Sequence, residues 1–173
     1  MEYIDIYDRN KKLTGKTVER GTALKDDEYR LVVHVCIFNS KNEMLIQKRQ
    51  PFKKGWSGKW DISVGGGVQS GESSSIAAQR EVEEELGVDV DLGNVRPFVC
   101  VSFVNGFDDY YSVRTDMDLD GFTLQPEEVE KVMWADKDTV LDMIDNESFI
   151  SYHKGFIEFL FDRHNGFGAV IID

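Results

Sequence analysis

The chain has 173 residues and 19.8 kDa, one domain's worth of sequence, and its 41% apolar and 30% charged content is that of an ordinary globular protein. A net charge of −12 and a pI near 4.7 exclude a nucleic-acid polymer or an anionic membrane as the main partner. They also leave any phosphate-bearing ligand in need of positive charge from local cations or a divalent metal.

No stretch reaches the roughly 18–20 apolar residues of a membrane span. The opening MEYIDIYDRN has acids where a secretory signal has basic residues, so a cytoplasmic protein is expected. In chain order, YIDIYD is a short strand candidate and KLTGKTVERG alternates weakly. YRLVVHVCIFN (29–39) and EMLIQKRQ (43–50) form the clearest hairpin, joined by the polar turn Ser40-Lys41-Asn42. KWDISV (59–64) reads as a short strand running into Gly65, Gly66 and Gly67.

A helix is expected from about Ser74 to Leu86, with serines to cap its start and Gly87 just past its end. VRPFVCVSFV (95–104) and YYSVRTDMDL (110–119) read as strands around the loop NGFDD, and VEKVMWAD (129–136) as another. Two helices follow, over about 137–145 and 151–164. Strands and helices mix without a regular βαβ repeat, and no linker divides the chain. The expectation is a single α/β domain, a mixed sheet covered by helices on both faces, with residues 1–30 as an N-terminal strand extension and 31–173 as the core. Cys36 and Cys100 each lie in an apolar run without a CxxC pattern or a His neighbour, so both are expected to be buried free thiols.

The segment REVEEELG (80–87) concentrates four glutamates at the end of the expected helix. With Glu81 at zero and about 100° per residue, Glu84 falls near −60° and Glu85 near +40°, while Glu83 falls on the opposite side, near 200°. Ala78, Val82 and Leu86 form a neighbouring stripe that should pack on the sheet. Three carboxylates on one arc repel one another and also face the negative end of the helix dipole. Arg80 can offset part of this through Glu84, four residues on. A solvated face remains one reading. The other is a divalent-cation site, supported by the preceding GGGVQSGES, a glycine-rich loop that lets backbone approach a metal or phosphate, and by Glu72 within it.

Gly66, Glu72, Arg80, Glu81, Val82, Glu84, Glu85, Gly87 and Val88 match every fixed position of Gly-x5-Glu-x7-Arg-Glu-U-x-Glu-Glu-x-Gly-U, U being a bulky aliphatic residue. This pattern resembles the Nudix box, and the resemblance implies a Nudix hydrolase. Such an enzyme is an α/β/α sandwich that uses Mg²⁺ or Mn²⁺ to cleave a diphosphate linked to another moiety. Residues 38–73 also resemble the isopentenyl-diphosphate isomerase branch of the superfamily, but Gly65 and Gly67 stand where that branch has a catalytic cysteine and a metal-binding histidine. The resemblance therefore implies an isomerase-like scaffold carrying a hydrolase centre.

On this reading Glu81, Glu84 and Glu85, with the Gly66 carbonyl, hold one to three metal ions that bridge the diphosphate and acidify an attacking water. Glu81 is the first choice to activate that water, and Glu127 or Glu128 is the alternative base or further ligand. The family role of Arg80 is to orient Glu84 and Glu72. Arg49 and Lys53 fall where the isomerases place cations against the diphosphate. Trp60 and Phe107 are candidates to stack on a base but also fit the core, and His34 reads as a satisfied core histidine. The expected partner is a small-molecule diphosphate, bound by a monomer or homodimer. An isoprenoid isomerase and a non-catalytic binding module are the competing classes.

Overall fold

The computed structural model of the chain describes residues 2–166. Its elements are β1 (Tyr3–Tyr7), β2 (Leu13–Glu19), β3 (Arg30–Phe38), β4 (Met44–Arg49), β5 (Trp60–Asp61), β6 (Val64–Gly67) and α1 (Ser74–Leu86). There follow β7 (Val99–Phe103), β8 (Gly106–Arg114), a 3-10 turn at Leu119–Gly121, β9 (Val129–Ala135), α2 (Lys137–Asp145) and α3 (Lys154–Arg163).

β3 is the spine of the main sheet. It runs parallel to β8 along its whole length, and β7 pairs with the far edge of β8. Its other edge is divided. β6 pairs antiparallel with Val32 to Val35, while β4 meets β3 only at Phe38↔Met44 before turning to β5 and β9. The sheet therefore splits between β3 and β4, and the glycine strand β6 lies in the split. Ser63 bridges the gap: its hydroxyl accepts from Ile37 N–H at 2.8 Å and donates to the Leu45 carbonyl.

Strand alternation sends side chains to two cores. Val33, Val35, Ile37 and Leu45 pack on Ala77, Ala78, Val82 and Leu86 of α1. Cys36, Phe38, Met44 and Ile46 pack on Val140 of α2 and on Ile157, Leu160 and Phe161 of α3. This is the mixed sheet with helices on both faces that the sequence predicts.

The departures from expectation come from long-range pairing. The expected strand 59–64 is broken into β5 and β6 where the chain passes from β4 to β3. Gly106 to Asp109, read as loop, belong to β8, because parallel pairing with Arg30 to Val33 recruits them; the turn shrinks to Val104-Asn105. β8 ends at Arg114 rather than 119, where its partner β3 ends at Phe38. Cys36 is buried, but Cys100 is exposed, contrary to expectation, because β7 is a sheet edge whose alternate residues face outward.

β1 and β2 form a separate two-stranded sheet. The Asp5 carboxylate fastens it to the loop before α1, accepting from Ser70 Oγ at 2.7 Å, Gly71 N–H at 2.8 Å and Thr17 Oγ1 at 2.8 Å. Just past β2, this hairpin delivers Arg20 to the glycine strand, against Gly67.

Candidate active site

α1 starts at Ser73, whose hydroxyl accepts from Ile76 N–H, and stops at Gly87. Gly87 has φ 67° and is pressed against Thr123, so only glycine closes the helix without strain. The last turn holds no basic residue to offset its dipole. Glu81 and Glu85 are buried at 8% and 4% exposure, Glu84 is about half exposed, and Glu83 points to solvent.

Arg80 organises the acids. Its Nε and Nη2 donate to the two oxygens of Glu72 at 2.7 and 3.0 Å, and Nη2 also reaches the Gly67 carbonyl at 3.1 Å. Its Nη1 donates to Glu81 Oε1 at 2.8 Å and to Glu84 Oε2 at 3.0 Å. Burial alone would raise the Glu72 carboxyl, but Arg80 and the Gln69 N–H outweigh it and hold the group below the usual carboxylate range. At Glu81 the balance reverses, and burial raises the carboxyl despite Arg80. Burial pushes Glu85 up to about 8; a hydrogen bond from Gln47 Nε2 at 2.9 Å opposes the rise, and the charges of Glu81 and Glu128 add to it.

The Glu81 carboxylate lies where the side chain of residue 66 would be. A Cβ on Gly66 would sit 2.0 Å from Glu81 Cδ, so this position must be glycine for Glu81 to reach the strand. Around this contact is a polar cavity of about 180 Å³ that brings together Glu81, Glu84, Glu85, Arg80, Arg49, Lys53 and Gly66. Glu72 stands behind it, bound to Arg80. Glu128 lines it and pairs with Lys53 at 2.5 Å, whereas Glu127 is exposed and outside it. Arg49 donates Nε–H to the Gly55 carbonyl at 3.2 Å and keeps its Nη1 3.9 Å from Asp61.

Sequence reasoning missed Arg20, Gln47 and Asp61. Arg20 carries no local signal, because a separate hairpin brings it in. Gln47 was accessible, since it lies two residues from Arg49 and from Leu45, on the strand face that meets α1. Asp61, an acid inside an apolar strand, was a similar signal.

A second, larger cavity of about 490 Å³ shares Arg20, Arg49, Gly65 and Gly66 with the first. His34 belongs to its wall rather than to a sealed core. Its Nε2 lies 3.3 Å from Asp108 Oδ1 and its ring stacks on Tyr110 at 4.7 Å. Neither Trp60 nor Phe107 lines either of these two cavities. Phe107 is buried in the α1-side core, and Trp60 packs in the other core under the Lys131 ammonium. Trp56, Tyr110 and Tyr152 are the aromatic residues of the larger cavity.

The smaller cavity offers carboxylate and carbonyl oxygens, the donors of a hard divalent cation. Among the described residues no three acids, histidines or cysteines already converge as a closed cage. Arg80 Nη1 instead bridges Glu81 and Glu84. A divalent cation here would take a few of these carboxylates and complete its shell with water or ligand oxygens.

The split mixed sheet thus sets a glycine strand, a carboxylate-lined helix end and flanking arginines around one polar cavity. A profile of the NUDIX domain matches residues 28–154. The Nudix hydrolase lin0387 of Listeria innocua is 45% identical over 165 residues, spanning 95% of this chain and 96% of its own length. Nudix hydrolase 3 of Arabidopsis thaliana is 37% identical over 78% of this chain, which matches only 19% of that larger protein. Among solved structures, DR0079 of Deinococcus radiodurans superimposes with a TM-score of 0.76 at 25% identity, covering 91% of this chain and 98% of its own. The MutT protein of Methanosarcina mazei does so with 0.61 at 26% identity, over 79% and 95%. The chain belongs to the Nudix family and is a Nudix hydrolase.

Proposed function

We propose that the enzyme is a Mg²⁺- or Mn²⁺-dependent hydrolase that cleaves a phosphoanhydride bond in a nucleoside diphosphate, free or linked to another moiety. The observation that carries this reading is the meeting of Glu81, Glu84 and Glu85 with Arg80, Arg49, Lys53 and Arg20 around one polar cavity beside Gly66. Glu81, Glu84, Glu85 and the Gly66 carbonyl would hold the cation. When bound, the cation neutralises charge on phosphoryl oxygens and lowers the pKa of water.

The other roles fall to side chains. Glu81, set against Gly66 and held by Arg80 Nη1 at 2.8 Å, is suited to take a proton from the attacking water. Arg80 fixes the rotamers of Glu72, Glu81 and Glu84. Arg49 and Arg20 line both cavities and suit the oxygens of a diphosphate. Lys53, held by Glu128, adds a further cation at the rim.

Isomerase chemistry is disfavoured at residue 65. A Cβ there would lie 2.8 Å from His34 Nδ1, so a cysteine and the present His34 rotamer exclude each other. A non-catalytic module has no need of the buried Glu81 and Glu85, which cost stability without a cation. Incubation with Mg²⁺ and a panel of nucleotides, nucleotide sugars, dinucleotides and isopentenyl diphosphate, followed by phosphorus NMR, tests the proposal. Cation-dependent cleavage of a nucleosidic diphosphate is expected. Isomerised isopentenyl diphosphate with no phosphate release, or no turnover at all, would overturn it.

A further inference from the structure

The carboxylate cavity is too small for a complete substrate, and the cavity beside it contains a carboxylate with unused bonding capacity. Asp61 is 8% exposed. Its Oδ1 accepts from Ile62 N–H at 2.8 Å and from the Tyr152 hydroxyl at 2.9 Å. Its Oδ2 accepts no hydrogen bond from the described residues; the nearest cation, Arg49 Nη1, is 3.9 Å away. Asp61 is buried as a residue, yet Oδ2 is not among the sealed unpartnered atoms of the described residues, so it stays accessible and free to accept an N–H or O–H from a ligand.

Asp61 lines the larger cavity together with Asp108, His34 and Trp56. Trp56 is 54% exposed and has φ 53°, a conformation that bulky side chains rarely adopt. Arg20 and Arg49 line both cavities, so a phosphate chain engaged by them in the smaller one directs its attached group into the larger. About 490 Å³ exceeds the needs of a short hydrocarbon tail, and Asp61 and Asp108 would be desolvated against such a tail with nothing in return.

We propose that Asp61 is the specificity-determining residue for the group carried by the diphosphate, its Oδ2 accepting a hydrogen bond from an N–H or O–H of a nucleoside that stacks against Trp56. The proposal rests on the reading of the smaller cavity as the diphosphate site. Asp61 acts by contact with the carried group and takes no part in breaking the phosphoanhydride bond. A donor from the ligand also stabilises the Asp61 carboxylate, which burial otherwise disfavours.

Steady-state kinetics of the full chain with ADP and with methyl diphosphate, which lacks the nucleoside, test this. Asp61→Asn keeps the Oδ1 acceptor for Ile62 and Tyr152 and puts a donor where Oδ2 was. The ratio of kcat/KM for ADP to kcat/KM for methyl diphosphate is expected to fall tenfold or more, mainly through the KM for ADP. The 2′,3′-dideoxy analogue of ADP distinguishes the two donors: a loss of the Asp61 effect assigns the contact to the ribose, and its retention assigns it to the base. Trp56→Ala, an exposed position remote from the buried network, is expected to lower the same ratio about fivefold or more, and it decides the matter if Asp61→Asn does not fold. An unchanged ratio in the folded variants, or a wild type that cleaves methyl diphosphate but not ADP, overturns the proposal alone. A wild type that cleaves neither these two nor any nucleotide sugar or dinucleotide of the wider panel overturns the diphosphate reading and the proposal with it.

Discussion

The Gly66–Glu81 contact makes a quantitative claim about a single methyl group. In Gly66→Ala the new Cβ would lie 2.0 Å from Glu81 Cδ and 2.1 and 2.4 Å from its oxygens, where ordinary contact begins at 3.4 Å. The carboxylate must retreat by about 1 Å or more, a displacement that costs about 100-fold when it misplaces a catalytic group. That loss corresponds to about 2.7 kcal/mol of transition-state stabilisation. The fold should tolerate the change, because the clash is with the end of a side chain rather than with backbone, and the melting temperature should move by only a few degrees.

The assay is kcat and KM at saturating Mg²⁺, with thermal melts alongside. Gly155→Ala, where a Cβ meets nothing within 4 Å, is the control and should keep wild-type turnover. A Gly66→Ala enzyme within twofold of wild type would show that the position of Glu81 against the glycine strand does not matter, and the site geometry would have to be redrawn.

Glu85 gives a pH test. Its folded-state carboxyl, pushed up to about 8, stands above the ordinary value near 4.3 of the unfolded chain. The metal-free fold therefore binds this proton more tightly than the unfolded chain does. Its contribution is complete below about pH 4.3 and is lost as pH rises through about 8. Metal-free Glu85→Gln should gain on wild type by a few kcal/mol between pH 5 and 8 in denaturation midpoints, while losing activity. A difference that does not vary with pH would refute the assignment. Of the two acids at the start of β9, Glu128→Gln should lower kcat about tenfold or more, because Glu128 lines the cavity, and Glu127→Gln should stay within twofold. The reverse order in kinetic assays would exchange their roles.

What the sequence revealed about the site was what lies on one helix and its loop. A helical wheel is a local rule, so the division of Glu81, Glu84 and Glu85 from Glu83, the serine cap and the glycine stop all follow from spacing alone. The fold class was legible for the same reason, since alternation in 29–39 and 43–50 defines two buried strands. Residues brought in by register were not legible. Arg20 arrives on a hairpin fastened by Asp5, and Asp61 reaches the larger cavity because β5 pairs with β4 across the split sheet. His34 was misread as core because its strand is apolar throughout. Only its pairing with Gly65, which leaves room for the ring, sets it in a cavity wall.

On the proposed reading, the carboxylates at the end of α1 direct water onto a phosphoryl group with a divalent cation bound. Turnover of a nucleosidic diphosphate in water carrying the heavy oxygen isotope, with and without Mg²⁺, tests it most directly when wild type is compared with Glu84→Gln. Glu84 is half exposed and, among the described residues, pairs with Arg80 alone, so the substitution leaves the fold intact. Heavy oxygen is expected in one phosphate product of the wild type with Mg²⁺, and none without the metal or in the variant. Label incorporated at the wild-type rate by Glu84→Gln, or cleavage independent of the metal, would contradict it.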